Sequence, residues 1–132
     1  MRRTSVALVT LAAGLVWSGP GIAADQTPPT ISNLRASPSK FCAKKTRTCR
    51  HDGTHVRFTV STNATVRGDI RERRALTGSF VEFVKKLKKG KNDVYLHDKR
   101  LHPGKWTIRV QGTNSVGSGG VDTVDVRVVK HD

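Results

Sequence analysis

The chain holds little from which a catalytic centre is built. Its 132 residues include ten Asp and Glu against 24 Lys and Arg, and only two of the ten, Glu72 and Glu82, are glutamates. A carboxylate pair for glycoside chemistry would have to be gathered from scattered aspartates such as Asp69 and Asp93, which no motif singles out. His51 and His55 stand four apart in HDGTH, but the run lacks the glutamate of a zinc-protease helix, and Gly53 works against one shared helical face. VGSGG, residues 116–120, misses the spacing of a serine nucleophile elbow. Two cysteines without a second ligand pair make no zinc site. Tyr95 is the sole tyrosine and aromatics are 5% of the chain, so the stacked rings of single-strand nucleic-acid readers are missing, as is a recognition helix. These absences argue for a protein that binds rather than catalyses, without metal or cofactor, and argue against nucleic acid as partner.

Long hydrophobic runs are missing too, except at the start. Arg2 and Arg3 precede an apolar stretch from Val6 to Trp17 that Gly14 interrupts, and Ile22-Ala23-Ala24 gives a small-residue ending before Asp25. The pattern predicts a secretory signal peptide over residues 1–24, cut after Ala24. The apolar stretch is short of the roughly 20 residues of a membrane span, and no second one follows. No cysteine sits at the cut, so a lipid anchor is not expected. The mature chain is expected to be a soluble, secreted, extracellular monomer of one domain over residues 31–130, after an extended and mobile lead-in at 25–30 whose prolines bar regular hydrogen bonding.

What is present in excess is positive charge. The formal net charge is +14, and all but Arg2 and Arg3 of the basic residues lie beyond the leader. Such a field favours polyanions and opposes self-association. Outside the cytoplasm an even cysteine count implies pairing, so Cys42 and Cys49 are expected to form a disulfide worth about 2–3 kcal/mol by loop-closure entropy.

Alternation with period two recurs along the chain. Val56, Phe58 and Val60 alternate with Arg57, Thr59 and Ser61, and Val66 and Ile70 face away from Arg67, Asp69, Arg71 and Arg73. Val94 and Leu96, then Trp106, Ile108 and Val110, then Val124, Val126 and Val128 repeat the pattern. Each run reads as a strand with one buried face. Ile31 and Leu34 mark a short first strand, and 36–53 reads as a long stapled loop. Asn63-Ala64-Thr65 matches a glycosylation sequon, although a turn alone accounts for the asparagine. Strands at this spacing, punctuated by Gly, Pro and Asn, predict an all-β, two-sheet antiparallel sandwich.

Residues 79–89 resist that reading. Phe80, Phe83, Val84 and Leu87 recur at helical spacing, Ser79 and Glu82 form a capping box, and Gly90 suits a helix end. Val81 on the opposite face, the β-branched and aromatic content and the need for strands between Ile70 and Trp106 favour a strand. Both alternatives stay open in the sequence.

Four stretches carry a family resemblance: PPTISNL (28–34), VRFTVSTNATV (56–66), LHPGKWTIRVQGTNSVGS (101–118) and DVRVV (125–129). Over about Thr27 to Lys130 the chain resembles the bacterial immunoglobulin-like and fibronectin type III-like domains of secreted and cell-surface proteins. The resemblance implies a spacer, adhesion unit or carbohydrate-associated accessory that is not catalytic. Trp106 stands where the family's corner element often carries tyrosine, and an indole donates a hydrogen bond without a phenol's geometry. The cysteines lie in a loop, unlike those of antibody domains.

The densest chemical feature is KKLKKGK, residues 85–91. Lys85, Lys86, Lys88, Lys89 and Lys91 form a compact patch suited to sulfate, phosphate or carboxylate groups, and they are the residues expected to contact an anionic cell-wall or matrix polymer. The same lysines at a sheet edge would block strand-to-strand aggregation. A structural role, or binding of another surface protein, then needs no polyanion. Two further basic clusters, Lys44, Lys45, Arg47 and Arg50, and Arg71, Arg73 and Arg74, would extend the patch if all three adjoin.

Overall fold

The structure, a computed structural model, describes residues 27–74 and 78–130. The expected leader at 1–24 lies outside the described residues. Regular structure among those described is all β: β1 (Ile31–Ser37), β2 (Lys40–Phe41), β3 (Thr54–Val60), β4 (Ala64–Glu72), β5 (Phe80–Leu87), β6 (Gly90–Leu96), β7 (Gly104–Thr113) and β8 (Asp122–Val128). Three strands form one sheet in the order β1-β3-β6, and five form a second, strongly curled sheet in the order β2-β8-β7-β4-β5. The valines, isoleucines and aromatics that alternate in sequence make up a single core between them. Phe58 of the smaller sheet meets Phe83 of the larger, with ring centroids 6.5 Å apart.

Residues 79–89 do not form a helix. Gly68 pairs with Phe83 and Asp69 with Val81, which leaves Glu82 without a partner in the ladder. This bulge resets the alternation, so Phe80 and Phe83, three apart, both turn inward with Leu87. A bulge in β1 does the same for Ile31 and Leu34: the register slips between Ser32 and Arg35, and Asn33 takes φ 54°, a conformation asparagine tolerates. Gly68 is required opposite Phe83, because a Cβ there would lie 2.2 Å from a ring carbon.

Two expectations need correction. The sheets are not wholly antiparallel: beyond Pro38 the chain crosses to the larger sheet, where β2 pairs parallel with β8, Lys40 beside Arg127 and Phe41 beside Val128. Phe41 is thereby buried at 1% exposure, inside a stretch expected to be loop. The lead-in is also tied down from Thr27 onward. Pro29 is buried, Thr30 N–H donates to Ser61 Oγ at 2.8 Å, and Asn114 Nδ2 donates to the Thr27 carbonyl at 2.8 Å.

Cys42 and Cys49 form the expected disulfide, with Cα atoms 6.4 Å apart. The Cys42 N–H donates to the His51 carbonyl at 2.8 Å, which closes the neck of the stapled loop. Trp106 is 3% exposed and its indole Nε1–H donates to the His102 carbonyl at 2.9 Å. The indole thus ties the strand back to the turn before it.

Candidate functional site

The lysine run occupies a seam between the sheets. β5 is an edge strand of the larger sheet and β6 an edge strand of the smaller, and Lys88 and Lys89 form the turn that joins them. Lys85 and Lys86 lie on β5 and Lys91 on β6, and all five side chains are exposed. The turn is held by asparagines. Lys89 N–H donates to Asn63 Oδ1 at 2.8 Å, and Asn92 Nδ2 donates to the carbonyls of Lys88 (3.0 Å) and Gly90 (3.1 Å). Gly90, at φ 114°, supplies a backbone geometry that side chains disfavour. The backbone of the run is therefore fixed while the ammonium groups reach into water, and among the described residues none of the five pairs with a carboxylate. A hollow of about 390 Å³ beside the turn is lined by Asn63, Thr65, Lys86, Lys88 and Asn114. Asn63, the sequon residue, acts here as a turn clamp.

The three basic clusters do not adjoin. Gly90 pairs with Val60 at the lysine end of the smaller sheet, and Leu96 pairs with Thr54 at the other end, where the stapled loop enters. Six residues separate these ends, about 20 Å. Arg71, near the end of β4, and Arg73 and Arg74, just beyond it, share the pole of the stapled loop, away from the lysines.

Register reveals a larger basic surface on the outer face of the five-stranded sheet. β4 turns Arg67, Asp69 and Arg71 outward, and Arg73 continues the row through its N–H bond to the Lys105 carbonyl at 3.0 Å. Lys105 pairs with Arg127 and Arg127 with Lys40, so three more cations reach the same face from three strands. At the lysine end Lys86, opposite Thr65, is on this face as well. Its acids are engaged: Asp69 accepts from Arg109 Nε at 2.8 Å and Nη2 at 2.9 Å, and Asp125 accepts from the Thr107 hydroxyl at 2.9 Å.

The outer face of the smaller sheet carries Arg35, Arg57 and Lys91, and its one strand acid, Asp93, is paired. Asp93 accepts from Arg57 Nε at 3.0 Å and lies 2.9 Å from His55 Nδ1; burial opposes its ionisation, yet these two bonds hold its carboxyl below the usual range. Tyr95 Oη donates to Asp52 at 2.7 Å. That bond lowers Asp52 and raises the phenol. His51 and His55 are not brought together as ligands, and among the described residues no group of three or more His, Cys, Asp or Glu gathers to hold a metal. No helix among them is long and apolar enough to cross a membrane.

One pair of acids was missed by the sequence. Glu82, the bulge residue, shares a hydrogen bond with Asp98, and its Oε2 is buried without a partner. Burial, then Asp98, pushes the Glu82 carboxyl up to about 8 from 4.5. Bonds from Arg100, among them Nη2 to Oδ2 at 2.7 Å, hold Asp98 well below the usual range. Glu82 is therefore the protonated member, donating to Asp98. The sequence signal was a lone acid inside the apolar run FVEFV, which the helical reading took for a cap. The folded state keeps a proton that the unfolded chain releases above about 4.5, so this contribution is complete below that pH and disappears as pH rises through 8. Glu82→Gln does not titrate. Its melting temperature relative to the parent chain is expected to climb between pH 5 and pH 9, and a pH-independent difference in calorimetry would refute the shared proton.

No family model and no curated protein matches the chain.

Proposed function

We propose that this chain is an exported, immunoglobulin-like or fibronectin type III-like sandwich domain that binds anionic extracellular polymers, with Lys85, Lys86, Lys88, Lys89 and Lys91 as the contact residues. Export follows from the leader pattern and agrees with the disulfide. The domain type draws support from the strand order, in which the first, third and sixth strands share one sheet and the later hairpin of β7 and β8 lies in the other. The observation that carries the binding role is the lysine seam: five exposed ammonium groups, without a carboxylate partner among the described residues, on a backbone clamped by Asn63 and Asn92. A clamped turn lowers the ordering cost of binding, and ammonium groups accept sulfate, phosphate or carboxylate without a fixed geometry.

The test is retention on immobilised heparin across a salt gradient. Affinity of the parent protein should drop on the order of a hundredfold between 50 and 200 mM salt, as expected for about five displaced counterions. Changing all five lysines to glutamine should move elution to much lower salt without altering the melting temperature by more than a few degrees. Unchanged elution would remove the lysines from the site. Salt-insensitive capture of the protein by cell surfaces would instead favour a protein-binding module that uses the same open edges.

A further inference from the structure

The lysine seam leaves most of the basic surface unexplained. The outer face of the five-stranded sheet carries Arg67 and Arg73 along β4, Lys105 on β7, Arg127 on β8 and Lys40 on β2, with Lys86 at the end nearest the seam. Outward residues on a strand recur every second position, about 6.6 Å apart, so the β4 row is a ladder of charges rather than a single spot. At its far end Ser39, Lys40, Arg73, Lys105, Asp125 and Arg127 line a hollow of about 220 Å³, large enough to seat one oxyanion. Asp69 is held bidentate by Arg109, and Asp125 accepts from Thr107 and pairs with Arg73 at 3.8 Å, which leaves Arg67, Lys105, Arg127, Lys40 and Lys86 without a carboxylate partner among the described residues.

We propose that this face is an extended track for a linear polysaccharide bearing sulfate or phosphate groups, running about 25 Å along β4 from Lys86 to the hollow around Arg127. The inference rests on the polyanion reading and names the ligand class and its path. Arginine forks match tetrahedral oxyanions through paired N–H bonds, which a lysine cannot do. Between the cations the face offers the hydroxyls of Thr65 and Thr123, in register with Lys86 and Arg109, as partners for sugar hydroxyls. The aromatic rings of this sheet, Phe41, Phe80, Phe83 and Trp106, turn inward to the core. A single-stranded nucleic acid would find charge here but no ring on which to stack its bases.

The experiment compares heparin fragments shorter and longer than the track, and in parallel a polyol-phosphate polymer, which separates sulfate from phosphate as the natural group. The face variant combines Arg67→Gln, Arg73→Gln, Lys105→Gln and Arg127→Gln. It is expected to lose about tenfold or more in affinity for long fragments at low salt, with short fragments, held by the seam alone, changed less than about twofold. Arg67→Gln with Arg127→Gln should give part of that loss, and serves if the fourfold variant melts early. Equal affinity of parent and face variant for the long fragments of both polymers would overturn the track and leave the lysine reading intact. Failure of the parent protein to bind either polymer would overturn that reading itself. Single-stranded DNA of matched charge binding the face as tightly as heparin would overturn the glycan assignment.

Discussion

Trp106→Ala is expected to destabilise the domain by about 3–5 kcal/mol, a large part of the roughly 5–15 kcal/mol that such domains possess. The indole is almost wholly buried, packs 6.2 Å from the Phe80 ring and 5.1 Å from that of His102, and spends its N–H on the His102 carbonyl. Arg100 lies over the other partner, with its guanidinium carbon 4.1 Å from the Phe80 centroid. Removing the ring therefore opens a cavity and unties the turn that follows β6. Trp106→Phe separates the two effects: it keeps most of the packing, deletes the hydrogen bond and should cost about 1–2 kcal/mol. Urea titration followed by circular dichroism measures both. An alanine variant within about 1 kcal/mol of the parent would mean that this end of the core does not depend on the indole.

The second large effect is asymmetric. Asp69 is 7% exposed, on a face otherwise rich in cations, and Arg109 supplies both bonds to its carboxylate. Arg109→Met should cost about 2–4 kcal/mol, because a largely desolvated carboxylate is left without its partner. Combining it with Asp69→Val should recover most of that loss, since valine suits the strand and no charge remains buried. A double variant as unstable as Arg109→Met alone would show that the two side chains contribute through packing rather than through their charges.

Period-two alternation makes β3, β4, β6, β7 and β8 legible in the sequence, because each strand has one wet face and one dry face. It failed where a strand carries an extra residue. At Glu82 and at Asn33 a bulge inserts one residue, and inward side chains fall three apart, a spacing that mimics a helix turn at Phe80 and Phe83 and leaves only a short strand legible at Ile31 and Leu34. β2 escaped because two residues have no period. The site divides in the same way. The lysine run is contiguous, so its density shows in one dimension, and the arginine row shows along β4. The meeting of that row with Lys105, Arg127 and Lys40 depends on the registers of four strands, and Glu82 meets Asp98 only because the chain crosses from one sheet to the other and returns. Neither is a local property of sequence.

The seam that gathers five lysines is also where both sheets end in open hydrogen-bonding edges, β5 on one side and β6 on the other. Mutual repulsion between lysines opposes the pairing of such edges. A polymer that neutralises the lysines removes that repulsion while it crowds many copies along one strand of ligand. If the proposed polymer binds there, dense loading should favour side-by-side association of the bound copies, with the ligand acting as a switch for coalescence.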